Sequence, residues 1–96
     1  MFKVIVRQEA INDLNNIWNY TNEKWSENKA DKYYETLKFA CKEIGINPDL
    51  GRQYVGISKN LFGFKSGKHI VFYQLVSEVE IEIIIILHER MDLKTN

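Results

Sequence analysis

The apolar residues of this chain change their spacing twice, and that change narrows the fold to one class. Over residues 2–7, Phe2, Val4 and Val6 alternate with other residues, the two-residue period of a strand. From Glu9 the period lengthens. Ala10, Ile11, Leu14, Ile17, Trp18, Thr21 and Trp25 share one sector of a helical wheel, while Asn12, Asp13, Asn15, Asn16, Asn19 and Glu23 fall mostly outside it. A first helix is predicted to end near residue 24 or 25. Ser26 is placed to cap a second, its hydroxyl accepting from an orphan backbone N–H, although Lys29 stands where a capping box wants Glu. Ala30, Tyr33, Tyr34, Leu37, Ala40, Cys41 and Ile44 share the face of that helix, Gly45 supplies a stop, and Pro48 forbids continuation. So few residues join the helices that they are predicted to lie antiparallel.

After the turn chemistry of Asn47-Pro48-Asp49-Leu50-Gly51-Arg52 and a loop to about residue 60, the period returns to two. Strands are predicted over 61–65, 69–76 and 79–88, with turns at Ser66-Gly67 and Ser77-Glu78. Ser77-Glu78 is a poor type I′ pair, so a longer loop would add residues in even number. With Val76 opposite Val79, Phe72 faces Ile83 and Ile70 faces Ile85. One face then carries Ile70, Phe72, Val76, Val79, Ile81, Ile83, Ile85 and Leu87, the expected seat of the helices. The other carries Glu80 and Glu82 at a solvated end, and Val71, Ile84 and Ile86 beside His69, Tyr73 and His88 at the opposite end. Two accounts of that apolar patch stand: an open binding surface, or a face covered by residues 89–96. On helix two, Phe39 lies opposite the buried stripe, either as a lone exposed aromatic or as an anchor for a partner. The order β-α-α-β-β-β predicts a single two-layer α/β (α+β) domain over residues 1–96, with a helical hairpin packed on a mainly antiparallel sheet.

Composition narrows the function. Thirteen basic and thirteen acidic side chains cancel, unlike a strongly basic nucleic-acid binder. Cys41 is the only cysteine; on an apolar helical stripe it reads as a buried, inert thiol. Without an internal disulfide, and with no apolar run near the roughly twenty residues that span a bilayer, a cytoplasmic location away from membranes is expected. Gly63 and Gly67 match no phosphate-loop spacing, the two histidines and one cysteine match no metal-ligand spacing, and Ser58, Ser66 and Ser77 sit in no nucleophile signature. Neither a cofactor nor a metal is expected. Lys65, Lys68, His69, Tyr73, His88 and Arg90 are the residue types that could perform acid–base cleavage of RNA, which needs a proton acceptor, a donor and cations for the phosphate. Solvated or partner-paired charges at a sheet end explain the same cluster.

Four stretches together resemble the ParE branch of the RelE/ParE toxin superfamily. Ala10-Ile11-Asn12-Asp13-Leu14 with Ile17 and Tyr20 is similar to its first-helix pattern, and Asn47-Pro48-Asp49-Leu50-Gly51-Arg52 to its helix–strand junction. Gly67-Lys68-His69-Ile70-Val71-Phe72-Tyr73 looks like its middle strand, and Leu87-His88-Glu89-Arg90-Met91-Asp92 matches the ending typical of ParE. The resemblance implies the RelE/ParE-like fold with the first strand beside the last. It also implies a toxin of a type II toxin–antitoxin system that causes growth arrest by inhibiting DNA gyrase and is neutralised by a cognate ParD-type antitoxin. Operator DNA would be met only through that antitoxin. The alternative within the superfamily is a RelE-like, ribosome-dependent mRNA endoribonuclease, whose catalytic set here would be His69, Tyr73, His88 and Arg90; His69 occupies the strand position that often holds that branch's arginine. A non-toxic binding scaffold is a further alternative. On the ParE account there is no catalytic residue. His88, Arg90, Met91 and Asp92 are then expected to contact the target, and Phe39, Val71, Ile84 and Ile86 the antitoxin.

Overall fold

The structure is a computed structural model that describes residues 1–54 and 60–91. Strand β1 (Lys3–Val6) leads into helices α1 (Gln8–Lys24) and α2 (Glu27–Ile46). A short 3₁₀ turn (Pro48–Leu50) follows, then strands β2 (Arg52–Gln53), β3 (Leu61–Ser66), β4 (His69–Leu75) and β5 (Glu80–His88), and a second 3₁₀ turn (Glu89–Met91). The sheet order is β1-β5-β4-β3-β2, with β1 parallel to β5 and the remaining pairs antiparallel. The first strand does lie beside the last, and both helices pack on one side.

Local chemistry explains the helix ends. Ser26 Oγ accepts from Lys29 N at 3.1 Å, the predicted cap. Helix α2 does not stop at Gly45, however; it runs one residue further, and Asn47 closes it while accepting from Asp49 N to start the 3₁₀ turn. Gly45 is needed for a close approach instead. Its carbonyl accepts from Phe2 N at 2.9 Å, and a Cβ there would meet Val4 Cγ2 at 2.6 Å. Trp25 departs from the helical-wheel expectation as well: it ends α1 with 63% of its surface exposed.

The β4–β5 register differs from the predicted one. Leu75 pairs with Ile81 and Tyr73 with Ile83, one residue out of step with Val76 opposite Val79; then a bulge at Ile84 adds another step, so that Phe72 pairs with Ile85 and Val71 with Ile86. A one-residue slip exchanges the faces of a strand, and a bulge exchanges them again beyond it. Ile81 and Ile83 therefore face the helices as expected, whereas on β4 it is Val71 and Tyr73, not Ile70 and Phe72, that lie under them. Beyond the bulge Ile86 turns in, while Ile85 and Leu87 turn out. Val76 and Val79 belong to the exposed loop. The larger core joins Ala10, Leu14, Leu37, Ala40 and Ile44 to this inner face, and each fully buried leucine or isoleucine side chain contributes roughly 1.5–3 kcal/mol. On the outer face Phe72 is also buried, with Leu61 and Ile70 around it and the Tyr54 ring edge-on at 5.1 Å.

The bulge leaves a backbone donor to satisfy. Past Val6 there is no β1 alongside β5, and Ile86 N donates instead to Asp13 Oδ2 of α1 at 2.9 Å. Asp13, which the wheel leaves outside the apolar sector, thus ties helix to sheet. Cys41 is buried as expected, and burial pushes its thiol up to about 11. Among the described residues no helix is long and apolar enough to cross a membrane.

Candidate functional site

The first residue of β4 and the last of β5 are register partners, His69 and His88. Their rings meet edge-on, with centroids 5.2 Å apart. Tyr33 reaches this strand end from α2, its hydroxyl 2.6 Å from His69 Nδ1 while accepting from Lys68 N at 2.9 Å. Gly67 makes the contact possible. Its φ is +61°, a left-handed conformation that favours glycine, and a Cβ there would meet the Tyr33 ring at 2.7 Å. Beyond β5 the chain turns at once: Glu89 N donates to Lys68 O, Glu89 pairs with Lys65 at 2.9 Å, and Arg90 N donates to His88 Nδ1 at 3.1 Å.

These contacts assign the protons. Burial, reinforced by His88 and opposed by Glu89, lowers the His69 pKa to about 4, so the ring is neutral near pH 7. Burial also raises the Tyr33 pKa, which keeps its hydroxyl protonated. Tyr33 O–H therefore donates to His69 Nδ1, and the His69 proton sits on Nε2. With Nδ1 of His88 accepting from Arg90 N, its proton also sits on Nε2. Both imidazoles present N–H donors, and neither Lys68 nor Arg90 is in an ion pair among the described residues. Apart from the Glu89 carboxylate, which Lys65 holds, the strand end is a set of donors and cations, suited to carboxylate or phosphate oxygens.

Tyr73 does not join it. Four residues along β4, it is wholly buried; its hydroxyl donates to Pro48 O and accepts from Gly51 N at 2.9 Å, which holds the 3₁₀ turn against the sheet. The expected nuclease set is thereby divided: His69, His88 and Arg90 come together, and Tyr73 is committed elsewhere. Of the expected target-contact residues, His88 and Arg90 stand at the strand end and Met91 closes the second 3₁₀ turn, while Asp92 lies outside the described residues. Tyr33 was missed because it reads as one more member of an apolar stripe; the Gly67-Lys68-His69 run was the available signal.

The expected antitoxin surface needs correction. Val71 is fully buried and Ile86 is 3% exposed, both beneath the helices, because the slip and bulge turned them inward. Ile84 remains on the outer face beside Ile85 and Leu87, and Phe39 is 60% exposed on α2. The more apolar recess lies elsewhere. A groove of about 510 Å³ opens between β1 and the helices, lined by Phe2, Val4, Val6, Ile11 and Leu14, with Lys38 and Lys42 among its other walls.

A helical hairpin on one face of a five-stranded mixed sheet, with a polar strand end, defines a small α+β domain of the RelE/ParE kind. The family model described as "ParE toxin of type II toxin-antitoxin system, parDE" matches residues 4–93. Toxin ParE1 of Mycobacterium tuberculosis is 31% identical over 83 residues, 86% of this chain and 85% of that protein. Toxin ParE1 of Caulobacter vibrioides is 30% identical over 84 residues, 88% of this chain and 85% of that protein. A solved structure, described as the chromosomal ParDE TA system from P. aeruginosa, superposes with a TM-score of 0.79 over 92% of this chain and 96% of that one, at 16% identity. The chain belongs to the ParE toxin family of type II toxin–antitoxin systems.

Proposed function

We propose that this toxin inhibits DNA gyrase through the strand end that carries His88 and Arg90, and that a ParD-type antitoxin neutralises it. The observation that carries the proposal is the protonation of the site. A half-buried His69 with a pKa near 4 is a poor general base at neutral pH, and the Tyr73 hydroxyl is held by backbone groups. Two of the four residues that would cut RNA, His69 and Tyr73, are thus weakly equipped for proton transfer, while His88 and Arg90 remain placed for hydrogen bonds to a protein or nucleic-acid partner. Arg90 can bind a carboxylate or phosphate in the bidentate manner that Lys cannot reproduce.

Three places suit the antitoxin. The groove beside β1 combines apolar walls with Lys38 and Lys42, which fits an acidic, amphipathic segment that folds on binding. Ile84 and Phe39 offer separate apolar contacts. The test of activity is a supercoiling assay with purified gyrase, run beside ribosome-dependent cleavage of mRNA. Loss of supercoiling with accumulation of cleaved DNA is expected. Unaffected gyrase at saturating protein, together with mRNA cutting, would favour the RelE-like alternative.

A further inference from the structure

Helix α1 ends on Trp25, which has 63% of its surface exposed and Lys29 Nζ 4.9 Å from its ring centroid. A shallow depression of about 320 Å³ continues from the indole along α2, lined by Thr21, Lys29, Lys32, Tyr33 and Thr36. Tyr33 carries it to the sheet, since its hydroxyl accepts from Lys68 N. Lys29, Lys32 and Lys68 make no ion pair among the described residues. Of the carboxylates near them, Asp31 accepts from Trp18 Nε1, Glu35 lies beside Lys38, Glu27 sits in the first turn of α2, and Glu89 holds Lys65 while also feeling the charge of Lys68. In a chain of zero net charge, the Lys29 ammonium over one face of the indole, with those of Lys32 and Lys68 further along, forms a local cationic track.

We propose that the strip from Trp25 through Lys29, Lys32 and Tyr33 to Lys68 binds single-stranded nucleic acid, the indole taking a base and the lysines the phosphates. Single strands leave base faces free to stack on aromatic side chains, and they track cationic grooves with little sequence preference. An acidic peptide would satisfy the lysines and leave the indole bare. A duplex keeps its base faces stacked inside. The depression is open and shallow, as a stacking platform requires, and lies apart from the apolar groove beside β1.

The experiment is anisotropy of a short labelled oligothymidylate titrated with the full chain over a range of salt concentrations. A log–log salt slope near about −2 is expected, from about 0.7 for each of three lysine–phosphate contacts. Trp25→Ala should weaken binding about five- to 150-fold, from the usual worth of one base–aromatic stack, and Trp25→Phe should recover much of the loss. Lys32→Gln and Lys68→Gln should each make the slope shallower by about 0.7, with thermal melts unchanged in all four variants. Absence of binding at low salt would overturn the proposal, as would undiminished binding by Trp25→Ala. Competition by polyglutamate equal to that of unlabelled oligonucleotide would overturn it in favour of an acidic protein partner. The proposal is independent of the gyrase assay: a protein that inhibits gyrase but ignores the oligonucleotide would refute this inference alone.

Discussion

His69 shows how one side chain draws its properties from three elements. Tyr33 of α2, Lys68 of the β3–β4 turn and His88 of β5 all meet at its ring or its backbone neighbour. Its pKa is lowered to about 4, against about 6.5 for the unperturbed group, first by burial and then by His88, with Glu89 opposing. The unfolded chain therefore takes up this proton near pH 6.5, and the folded chain only near 4. Between those values the unfolded state binds more protons, so stability falls as the pH drops through that window and is intact above it. The melting temperature should begin to decline near pH 6.5, before the carboxylates of Glu82 and Glu89, whose pKa values are lowered, become protonated. An NMR titration should find His69 uncharged at pH 6; a midpoint near 6.5 would contradict the packing described for Tyr33. His69 and His88 were visible in the sequence as residue types, but their joint role was not. Hydrogen-bond direction and burial depend on α2, whose Tyr33 carries no polar signal in a hydrophobic stripe.

At the scale of elements, spacing of apolar residues located both helices and the four main strands to within a few residues. Short pieces escaped. The two-residue β2 and the 3₁₀ turns have no period to detect. The faces of β4 failed for a different reason: both sides of the hairpin are apolar along Ile70–Tyr73 and Ile83–Leu87, so pattern alone could not choose the register, and the bulge at Ile84 has no sequence signature. The corrected faces make a sharp contrast. Ile86→Asp should abolish folding, because it buries a charge beneath the helices, whereas Ile84→Asp on the outer face should leave the fold standing and weaken antitoxin binding if that face is used. Circular dichroism and a pull-down on both variants check this; two equally folded variants would contradict the bulge. Asp13→Ala should cost about 1–3 kcal/mol in urea unfolding, since Ile86 N–H would lose its acceptor, and Asp13→Asn should recover part of it through the amide oxygen.

For the whole molecule, the fold sets the polar strand end apart from the apolar groove beside β1. Packing of α1 and α2 on Val71, Tyr73, Ile81, Ile83 and Ile86 makes a rigid inner face, and β4 and β5 present His69, His88 and Arg90 at its margin. The apolar groove beside β1 lies against different elements, so under the proposed function contacts with a target and with an antitoxin should be separable by substitution. Substitutions at Phe2 or Ile11 should lower antitoxin affinity without relieving growth arrest. The central claim is that the strand end acts on gyrase, and its most direct measurement is supercoiling inhibition by Arg90→Ala compared with the unaltered protein. Truncation of a central interface arginine commonly costs about 2 kcal/mol or more, so at least a roughly thirtyfold higher inhibitory concentration is predicted, with the melting temperature and antitoxin binding unchanged. Equal inhibition by the variant would contradict the account and move the gyrase-binding surface to the helical hairpin.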